Sequence, residues 1–339
     1  MRSLVFTGPD QVEWQERPDP KVQNSKHAVV RPVVIGRCDL DVGFVRGLAP
    51  MAPGTPLGHE VVGIVTDIGD DVHDFVPGDL VAVSAQICCG ECKMCRRGFT
   101  GRCEAVPFAA SYGMGRDGDF GGAAADLVLV PFADAMLFPL PVGANPADWI
   151  GFADMAQDGY RAVAPQLAER PGARVLVIGG AASVIGLYAA GIAVALGGIV
   201  DYYDSDTARL TEAKKYGAKP ILRGNDEPEG MYEIVVDASI HAESILEAFR
   251  YAAPEAVVTS VCIHFGDVTA VPLMEAYHKG ITYKTGRPNC RATMEPLSKL
   301  CCAGHFQPQL ISTKAFDFNN APEAWLDPAI RTIATKAAF

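Results

Sequence analysis

The chain has 339 residues, of which 49% are hydrophobic and 20% are charged. This length exceeds what one hydrophobic core usually serves, so it predicts two domains of ordinary globular composition. The formal net charge of −11 argues against nucleic acid and against an anionic membrane as main partners. MRSLVFTGPDQ shows no secretory signal, so we expect a cytoplasmic protein with reduced cysteines.

The N-terminal part is rich in short valine-containing runs that are separated by glycine, proline and aspartate. HAVVRPVVIG, EVVGIVTDIGDDV and GDLVAVSA have the composition and length that are typical of strands. Residues 1–145 are therefore predicted to form an irregular β-rich domain.

The stretch CCGECKMCRRGFTGRC, residues 88–103, holds five of the ten cysteines. Its short spacings let four thiolates close a tetrahedron around Zn²⁺, and such a site has no open position and is structural. An iron–sulfur cluster usually has other spacings, and a disulfide framework does not suit a chain without a secretory signal. The predicted ligands are Cys89, Cys92, Cys95 and Cys103. The remaining thiols outside the candidate sites are expected to be plain buried or partly buried side chains: Cys88, Cys262, Cys290, Cys301 and Cys302.

From about Pro171, apolar runs of strand length alternate with helical patterns. RVLVIGG, IVDYYD, YEIVVDAS and AVVTSVCIHFG are strand-like, and amphipathic or apolar helical segments lie between them. This alternation predicts a doubly wound parallel sheet over residues 146–285. The apolar stretch 181–200 is interpreted as a buried helix rather than a membrane span. Residues 286–339 are predicted to return to the first domain.

The segment RVLVIGGAASVIGLYAA is a candidate dinucleotide site, because a glycine-bearing turn at a helix N-terminus lets the backbone approach a pyrophosphate. Ser183 stands in place of the middle glycine, so the fingerprint is imperfect. Asp204 ends the next predicted strand, where it can bind ribose hydroxyls and repel a 2′-phosphate, which favours NAD over NADP. Asp201 competes for this role, and a turn without a ligand is the alternative. The candidate cofactor residues are Gly179, Gly180, Ser183, Val184, Ile185, Gly186, Asp204 and Arg209.

A second candidate metal site is dispersed along the chain. Cys38 in IGRCDLD, His59 and Glu60 in PLGHEVVG, and Asp154 in GFADMAQDGY offer a thiolate, an imidazole and carboxylates. One of each would bind zinc and leave a fourth position for water or an alcohol oxygen, and an open zinc lowers the pKa of a bound hydroxyl group. Distant ligands have no local signature, and a lone cysteine or histidine is more often a packed residue.

LGHEVVGIV, the four-cysteine stretch and PGDLVAVSA together resemble the zinc-dependent medium-chain alcohol dehydrogenases, from MRSLVFTGPDQVEW to TKAAF. The resemblance implies a GroES-like catalytic domain, a Rossmann domain, two zinc ions per chain, and reversible hydride transfer from a small-molecule alcohol to NAD⁺, giving an aldehyde or ketone. It implies homodimers or homotetramers. FVRG, RRGFTGRC and VPFADAMLFPLP are similar to the branch that contains formaldehyde dehydrogenases needing no glutathione. The resemblance assigns catalytic zinc ligands to Cys38, His59 and Asp154, an adjacent acid to Glu60, and a carboxylate that orients His59 to Asp41.

Some positions depart from the family pattern. Leu40 and Gly43 stand where many relatives carry proton-relay side chains, and Asp158 replaces a threonine that commonly touches the nicotinamide. We therefore expect Asp39 or Asp158 to take the proton, directly or through water. The same departures leave a second hypothesis open, a zinc- and NAD-binding sensor or scaffold with little turnover. A third possibility is a zinc-free quinone reductase, because GGAASVIG loosely resembles the glycine turn of those enzymes. Such an enzyme would not need the four cysteines.

Overall fold

The computed structural model describes residues 1–115, 120–266 and 268–336. The strands are β1 (Arg2–Gly8), β2 (Gln11–Glu16), β3 (Ala28–Gly36), β4 (Thr55–Pro56), β5 (Glu60–Ile68), β6 (Leu80–Val83), β7 (Val128–Val130), β8 (Leu137–Pro139), β9 (Arg174–Ile178), β10 (Ile199–Asp204), β11 (Lys219–Leu222), β12 (Tyr232–Asp237), β13 (Ala252–Ser260), β14 (Thr282–Lys284), β15 (Thr313–Asp317) and β16 (Arg331–Thr335). The helices are α1 (Asp39–Val45), α2 (Lys93–Arg96), α3 (Ala133–Met136), α4 (Met155–Glu169), α5 (Ser183–Ala195), α6 (Thr207–Lys215), α7 (Ala242–Tyr251), α8 (Leu273–Lys279), α9 (Cys290–Cys302) and α10 (Ala321–Leu326).

The N-terminal part folds into two β-sheets. β2, β1 and β4 form a small antiparallel sheet, and a larger sheet has the strand order β15-β16-β3-β5-β6-β8, with β7 also paired to β3. In the larger sheet, only the ladder between β15 and β16 is parallel among the described strands. The apolar faces of the strands enclose one core together with Trp325 and Phe318 from the C-terminal segment. The predicted irregular β-rich domain is confirmed.

The pairing of β3 with β5 determines which residues meet at one end of this sheet. Pro32 in β3 has no N–H to donate, and the ladder shifts register directly after it. Beyond the shift, Gly36 at the end of β3 pairs with Glu60 at the start of β5. Antiparallel pairing therefore brings Cys38, two residues after β3, to the same edge as His59, one residue before β5.

The second part of the chain forms a six-stranded parallel sheet with the order β11-β10-β9-β12-β13-β14. Counted along the chain, this order is 3-2-1-4-5-6, the doubly wound arrangement in which a ligand crevice opens between the first and fourth strands. The predicted parallel sheet is confirmed. The apolar stretch 181–200 contains α5, most of whose residues are buried, and no helix in the described ranges is long and apolar enough to cross a membrane.

The structure divides into two compact units with boundaries that differ from the predicted ones. The first unit comprises residues 1–157, 289–296 and 313–339, and the second comprises 158–288 and 297–312. The predicted boundary at residue 145 lies too early, because the following 3₁₀ turn Pro146–Ala153 belongs to the β-rich unit. Phe152 in this turn packs on Phe138 with ring centroids 5.1 Å apart.

Residues 297–312 were predicted to return to the β-rich domain, but they belong to the second unit. Phe306 stacks on Tyr216 with ring centroids 5.8 Å apart and packs edge-on against Tyr188. The hydroxyl of Tyr216 lies 3.2 Å from the carbonyls of Gln307 and Pro308. These contacts join residues that are far apart in sequence. The chain passes between the units four times, within α4, directly before α9, within α9 and after residue 312.

Candidate active site

Cys38 lies directly before α1 and is held by its neighbours on both sides. Its backbone N–H donates to Oδ2 of Asp41 at 3.0 Å, so a carboxylate in the first turn caps the helix. The preceding residue, Arg37, is buried and donates to backbone carbonyls in the segment 325–329. These contacts fix the position of the Cys38 thiol, which is 3% exposed.

The structure brings together the three residues predicted as an open zinc site. Nε2 of His59 lies 3.4 Å from Oδ2 of Asp154, and Sγ of Cys38 lies 3.5 Å from the same oxygen. One ligand atom from each of the three lies within 4.8 Å of the other two. Asp154 reaches this point because it ends the 3₁₀ turn Pro146–Ala153 and immediately precedes α4.

Several buried polar atoms around this point have no hydrogen-bond partner among the described residues. They are both ring nitrogens of His59, Oδ1 of Asp41 and Oε2 of Glu60. A buried imidazole whose nitrogens lack hydrogen-bond partners is costly, and a divalent cation at Nε2 would satisfy that nitrogen. A sulfur, an imidazole nitrogen and a carboxylate oxygen are ligands that zinc accepts, so these residues fit a zinc ion. On the other side of the ring, Nδ1 of His59 lies 3.8 Å from Oδ1 of Asp41.

The electrostatic surroundings favour a protonated Cys38 and a protonated His59 when no metal is bound. Burial raises the pKa of the Cys38 thiol well above its ordinary value, and nearby carboxylates act in the same direction. Burial lowers the pKa of His59, but the carboxylates of Asp41 and Asp154 outweigh it and raise the pKa to about 9. Burial also acts to raise the pKa of Asp154, but its contact with His59 prevails and keeps that pKa below the usual range. A metal must therefore displace protons when it binds.

Glu60 lies next to this cluster, at the start of β5. Its Oε1 accepts a hydrogen bond from the backbone N–H of Met155 at 3.1 Å. Burial raises the pKa of Glu60 to about 8, although the charge of the buried Arg331 opposes the shift. A Cβ atom at Gly36 would lie only 2.9 Å from Oε2 of Glu60, so the glycine gives this carboxylate room.

The two carboxylates predicted to take the proton have different surroundings. Asp39 is half-buried and begins α1, next to Cys38. Asp158 lies in the first turn of α4 and is buried. Its Oδ1 accepts a hydrogen bond from Nε of Arg161 at 2.5 Å. A guanidinium thus engages the carboxylate of Asp158.

Cys290 is a residue of this site that sequence reasoning missed. Its Sγ lies 3.4 Å from Oδ1 of Asp154, the carboxylate oxygen that does not face Cys38 and His59. The thiol is fully buried. Cys290 is separated from Asp154 by 136 positions, and no local pattern relates the two residues. The prediction of a plain buried thiol was right about its burial and overlooked its contact with the site.

The four predicted structural ligands form a second cluster. One Sγ from each of Cys89, Cys92, Cys95 and Cys103 lies within 4.8 Å of the others, and the Sγ atoms of Cys92 and Cys103 are 4.0 Å apart. Sulfurs bound to one tetrahedral zinc at about 2.3 Å would lie about 3.8 Å apart, so the cluster needs little adjustment to hold the ion. Backbone N–H groups of the loop donate to the sulfurs of Cys89 and Cys92 at 3.3–3.4 Å, which favours thiolates.

The candidate dinucleotide turn follows β9 and opens α5. A Cβ atom at Gly179 would lie 2.2 Å from Oδ2 of Asp204, and one at Gly180 would lie 2.5 Å from Cα of Ser239. Both positions therefore need glycine for close approach. The hydroxyl of Ser183 donates to the carbonyl of Gly180 at 2.7 Å and closes the turn. The other predicted residues Val184, Ile185 and Gly186 belong to the first turn of α5.

Asp204 lies at the end of β10 and is 1% exposed. Arg209 in α6 donates to both of its carboxylate oxygens, from Nε to Oδ2 at 2.6 Å and from Nη2 to Oδ1 at 2.7 Å. The competing acid, Asp201, instead accepts a hydrogen bond from the hydroxyl of Tyr232 at 2.6 Å. Of the two acids, Asp204 is the one that lies against the turn, at Gly179.

Two protein-family descriptions match the chain. "Alcohol dehydrogenase GroES-like domain" matches residues 24–142, within the β-rich unit. "Alanine dehydrogenase/PNT, C-terminal domain" matches residues 152–264, which include the glycine turn and most of the parallel sheet. The predicted combination of a GroES-like domain with a Rossmann domain is confirmed.

Individual proteins are similar over most of the chain. A zinc-type alcohol dehydrogenase B of Aspergillus flavus is 30% identical over 315 residues, which cover 85% of this chain and 69% of the relative. A glutathione-independent formaldehyde dehydrogenase of Pseudomonas aeruginosa is 35% identical over 241 residues, 67% of this chain and only 60% of that protein. The solved structure of an alcohol dehydrogenase from Thermus sp. ATN1 superposes with a TM-score of 0.89 at 29% identity, covering 99% of this chain and 100% of that one. The predicted family resemblance is confirmed, and none of these similarities supports the sensor hypothesis.

The protonation of the three-residue cluster generates a prediction about pH. The apparent affinity of the metal-free Cys38–His59–Asp154 site for zinc should rise with pH between 6.5 and about 9, the ordinary and the raised pKa of His59. Each displaced proton contributes about tenfold per pH unit, because zinc competes with it for the same lone pair. Competition with a chromophoric chelator across a pH series measures this affinity. An affinity that does not change over this range would contradict the assigned protonation states.

Proposed function

The chain belongs to the family of zinc-type alcohol dehydrogenases, and we propose that it oxidises a small-molecule alcohol to an aldehyde or ketone with NAD⁺, and catalyses the reverse reduction. The observation that carries this proposal is the convergence of Cys38, His59 and Asp154 on one buried point. Three protein ligands leave one position of a tetrahedral metal site for a substrate oxygen, which a closed four-ligand site lacks.

When bound, zinc at this point would supply a Lewis acid that lowers the pKa of an alcohol, and NAD⁺ would supply the hydride acceptor. The chain's own residues would bind the ion and orient its ligands. Cys38, His59 and Asp154 would hold the ion, and Asp41 faces Nδ1 of His59 so that Nε2 stays directed at the cluster. Glu60 is the adjacent acid, held through Oε1 by the backbone while Oε2 has no partner among the described residues.

We assign the proton of the alcohol to Asp39 or Asp158, directly or through water. Leu40 and Gly43, which stand at the relay positions of many relatives, have no group that titrates. Asp39 is the residue next to the ligand Cys38, and Asp158 follows the ligand Asp154 by one helical turn. The guanidinium of Arg161 contacts Asp158 and competes with a proton for its carboxylate.

We propose that NAD is preferred over NADP. The carboxylate of Asp204 lies against the glycine turn, where it can accept hydrogen bonds from ribose hydroxyls, and a 2′-phosphate at the same place would meet its negative charge. Arg209 orients this carboxylate through two hydrogen bonds. The pyrophosphate would lie at the N-terminus of α5, next to Ser183, Val184 and Ile185.

We propose a second zinc in the four-cysteine cluster, with a structural role, because its four ligands leave no position for a substrate. The cysteines are free thiols in the structure, which suits a cytoplasmic protein.

The chain should assemble into homodimers or homotetramers. β14 is one of the two edge strands of the parallel sheet. Four apolar residues that precede it are between 73% and 90% exposed: Val268, Leu273, Met274 and Tyr277. Large apolar side chains at such exposure beside a sheet edge are typical of an interface between subunits.

The zinc assignments and the activity can be tested together. The wild-type protein should contain two zinc ions per chain and reduce NAD⁺ with members of an alcohol panel, measured by the absorbance of NADH. Cys38→Ser should retain one zinc per chain and lose about a thousandfold in kcat/KM, because a Lewis acid contributes several kcal/mol to such a reaction. Cys88→Ser is the matched control, since this buried thiol lies outside both clusters, and it should keep both zinc ions. Two zinc ions in the Cys38→Ser variant would refute the site.

The proton acceptor can be identified from pH–rate profiles of Asp39→Asn and Asp158→Asn. The variant that lacks the acceptor should lose about a hundredfold or more in kcat/KM, and the acidic limb of its profile should disappear. Asp226→Asn, at an exposed carboxylate in the segment that follows β11, serves as the control. Unchanged profiles for both Asp39→Asn and Asp158→Asn would show that neither group takes the proton.

Cofactor preference should depend on Asp204. The ratio of kcat/KM for NAD⁺ to that for NADP⁺ should fall by about ten- to a hundredfold in Asp204→Asn, the worth of a hydrogen bond to a charged group. Asp201→Asn removes a carboxylate from the same strand, and it should leave the ratio at the wild-type value because Asp201 binds Tyr232 instead. A wild-type ratio in Asp204→Asn would exclude Asp204 as the selecting residue.

A further inference from the structure

The start of α9 connects the two metal-ligand clusters of the β-rich unit. Asn289 contacts the four-cysteine loop, and the next residue, Cys290, contacts Asp154 of the other cluster. We propose that Cys290 is a positioning residue for the metal-binding carboxylate of Asp154, and that Asn289 anchors it to the four-cysteine loop. This inference rests on the proposed catalytic metal at Cys38, His59 and Asp154.

The two oxygens of Asp154 have separate surroundings. Oδ2 lies 3.4 Å from Nε2 of His59 and 3.5 Å from Sγ of Cys38, which makes it the oxygen that faces the metal position. Oδ1 lies 3.4 Å from Sγ of Cys290 and can accept its S–H. Because Oδ1 accepts this hydrogen bond, the carboxylate of Asp154 is oriented to bind a metal through Oδ2 alone.

Cys290 is itself held in place by the β-rich unit. Its backbone N–H donates to Oε1 of Gln86 at 3.2 Å, and both residues are buried. Gln86 is fixed by an isolated antiparallel bridge to Ser111. The thiol therefore approaches Asp154 from a rigid backbone, as a group that orients a metal ligand must.

Asn289 reaches the four-cysteine loop just before its last ligand. Its Oδ1 accepts from the backbone N–H of Gly101 at 3.1 Å and from Nη1 of Arg102 at 3.0 Å. The residue after Arg102 is Cys103, one of the four clustered cysteines. The closed cluster thus fixes the loop that holds Asn289, and the peptide link to Cys290 carries this constraint to Asp154.

The test measures the release of zinc to a chromophoric chelator, which does not depend on turnover. The wild type should show two phases, and the phase absent from Cys38→Ser identifies the catalytic site. In Cys290→Ala this phase should be faster by about ten- to a hundredfold, the usual effect of removing a group that orients a metal ligand. Cys290→Ser, whose hydroxyl can donate the same hydrogen bond, should release this zinc at the wild-type rate. The second phase, from the four cysteines, should not change in either variant and shows that the unit is folded.

Two further variants complete the series. Asn289→Ala should accelerate the catalytic phase by about two- to tenfold, the worth of ordinary hydrogen bonds. Cys301→Ala removes a partly buried thiol at the other end of α9 and should leave both phases unchanged. If Cys290→Ala fails to fold, Cys290→Ser and Asn289→Ala decide: faster release from the serine variant, or wild-type release from Asn289→Ala, would overturn the proposal.

Cobalt substitution distinguishes positioning from direct ligation. Cys290→Ala should keep the thiolate-to-cobalt charge-transfer intensity of the wild-type catalytic site, because only Cys38 supplies a sulfur there. A loss of this intensity would make Cys290 a ligand and overturn the positioning role, as would wild-type release from Cys290→Ala. Failure of the proposed function has a different signature, since the wild type would then lack the catalytic phase altogether.

Discussion

The carboxylate of Asp154 is the group on which the proposed chemistry depends. A thiol and an imidazole lie at one of its oxygens and a second thiol lies at the other, all of them buried. Buried ionisable groups in such number are costly unless a charge of opposite sign compensates them. A divalent cation at Oδ2 would provide that compensation and would also satisfy the unpartnered Nε2 of His59. The same burial that makes the empty cluster unfavourable therefore favours metal binding.

The sheet of the β-rich unit is what brings these groups together. The ladder between β3 and β5 shifts register directly after Pro32, and only beyond this shift does Gly36 face Glu60. Because side chains alternate across a strand, a slip of one residue would turn Glu60 to the opposite face and displace the neighbouring His59. An irregularity in one strand thus determines whether Cys38 and His59 can share a metal.

The amino-acid sequence predicts those features best whose residues lie close together along the chain. The four-cysteine cluster lies within sixteen positions, and the turn between β9 and α5 has its own glycine pattern, so both could be recognised from spacing. The three distant ligands could be assigned only through the resemblance to a family, because nothing in the spacing of Cys38, His59 and Asp154 requires them to meet. The contact between Cys290 and Asp154 could not be predicted from spacing, because it depends on where α9 begins in the folded chain. The unit to which residues 297–312 belong also depends on a distant contact, because Phe306 packs on Tyr216, 90 positions away.

The contacts of Arg37 have a consequence for biosynthesis. This buried guanidinium, adjacent to Cys38, donates from Nη1 and Nη2 to carbonyls of the segment 325–329, and β3 pairs along its final residues with β16. Both partners leave the ribosome nearly three hundred residues after the thiol that they help to fix. A nascent chain therefore cannot complete its open metal position until the segment 325–335 has been translated, whereas the four-cysteine loop has all its ligands by residue 103.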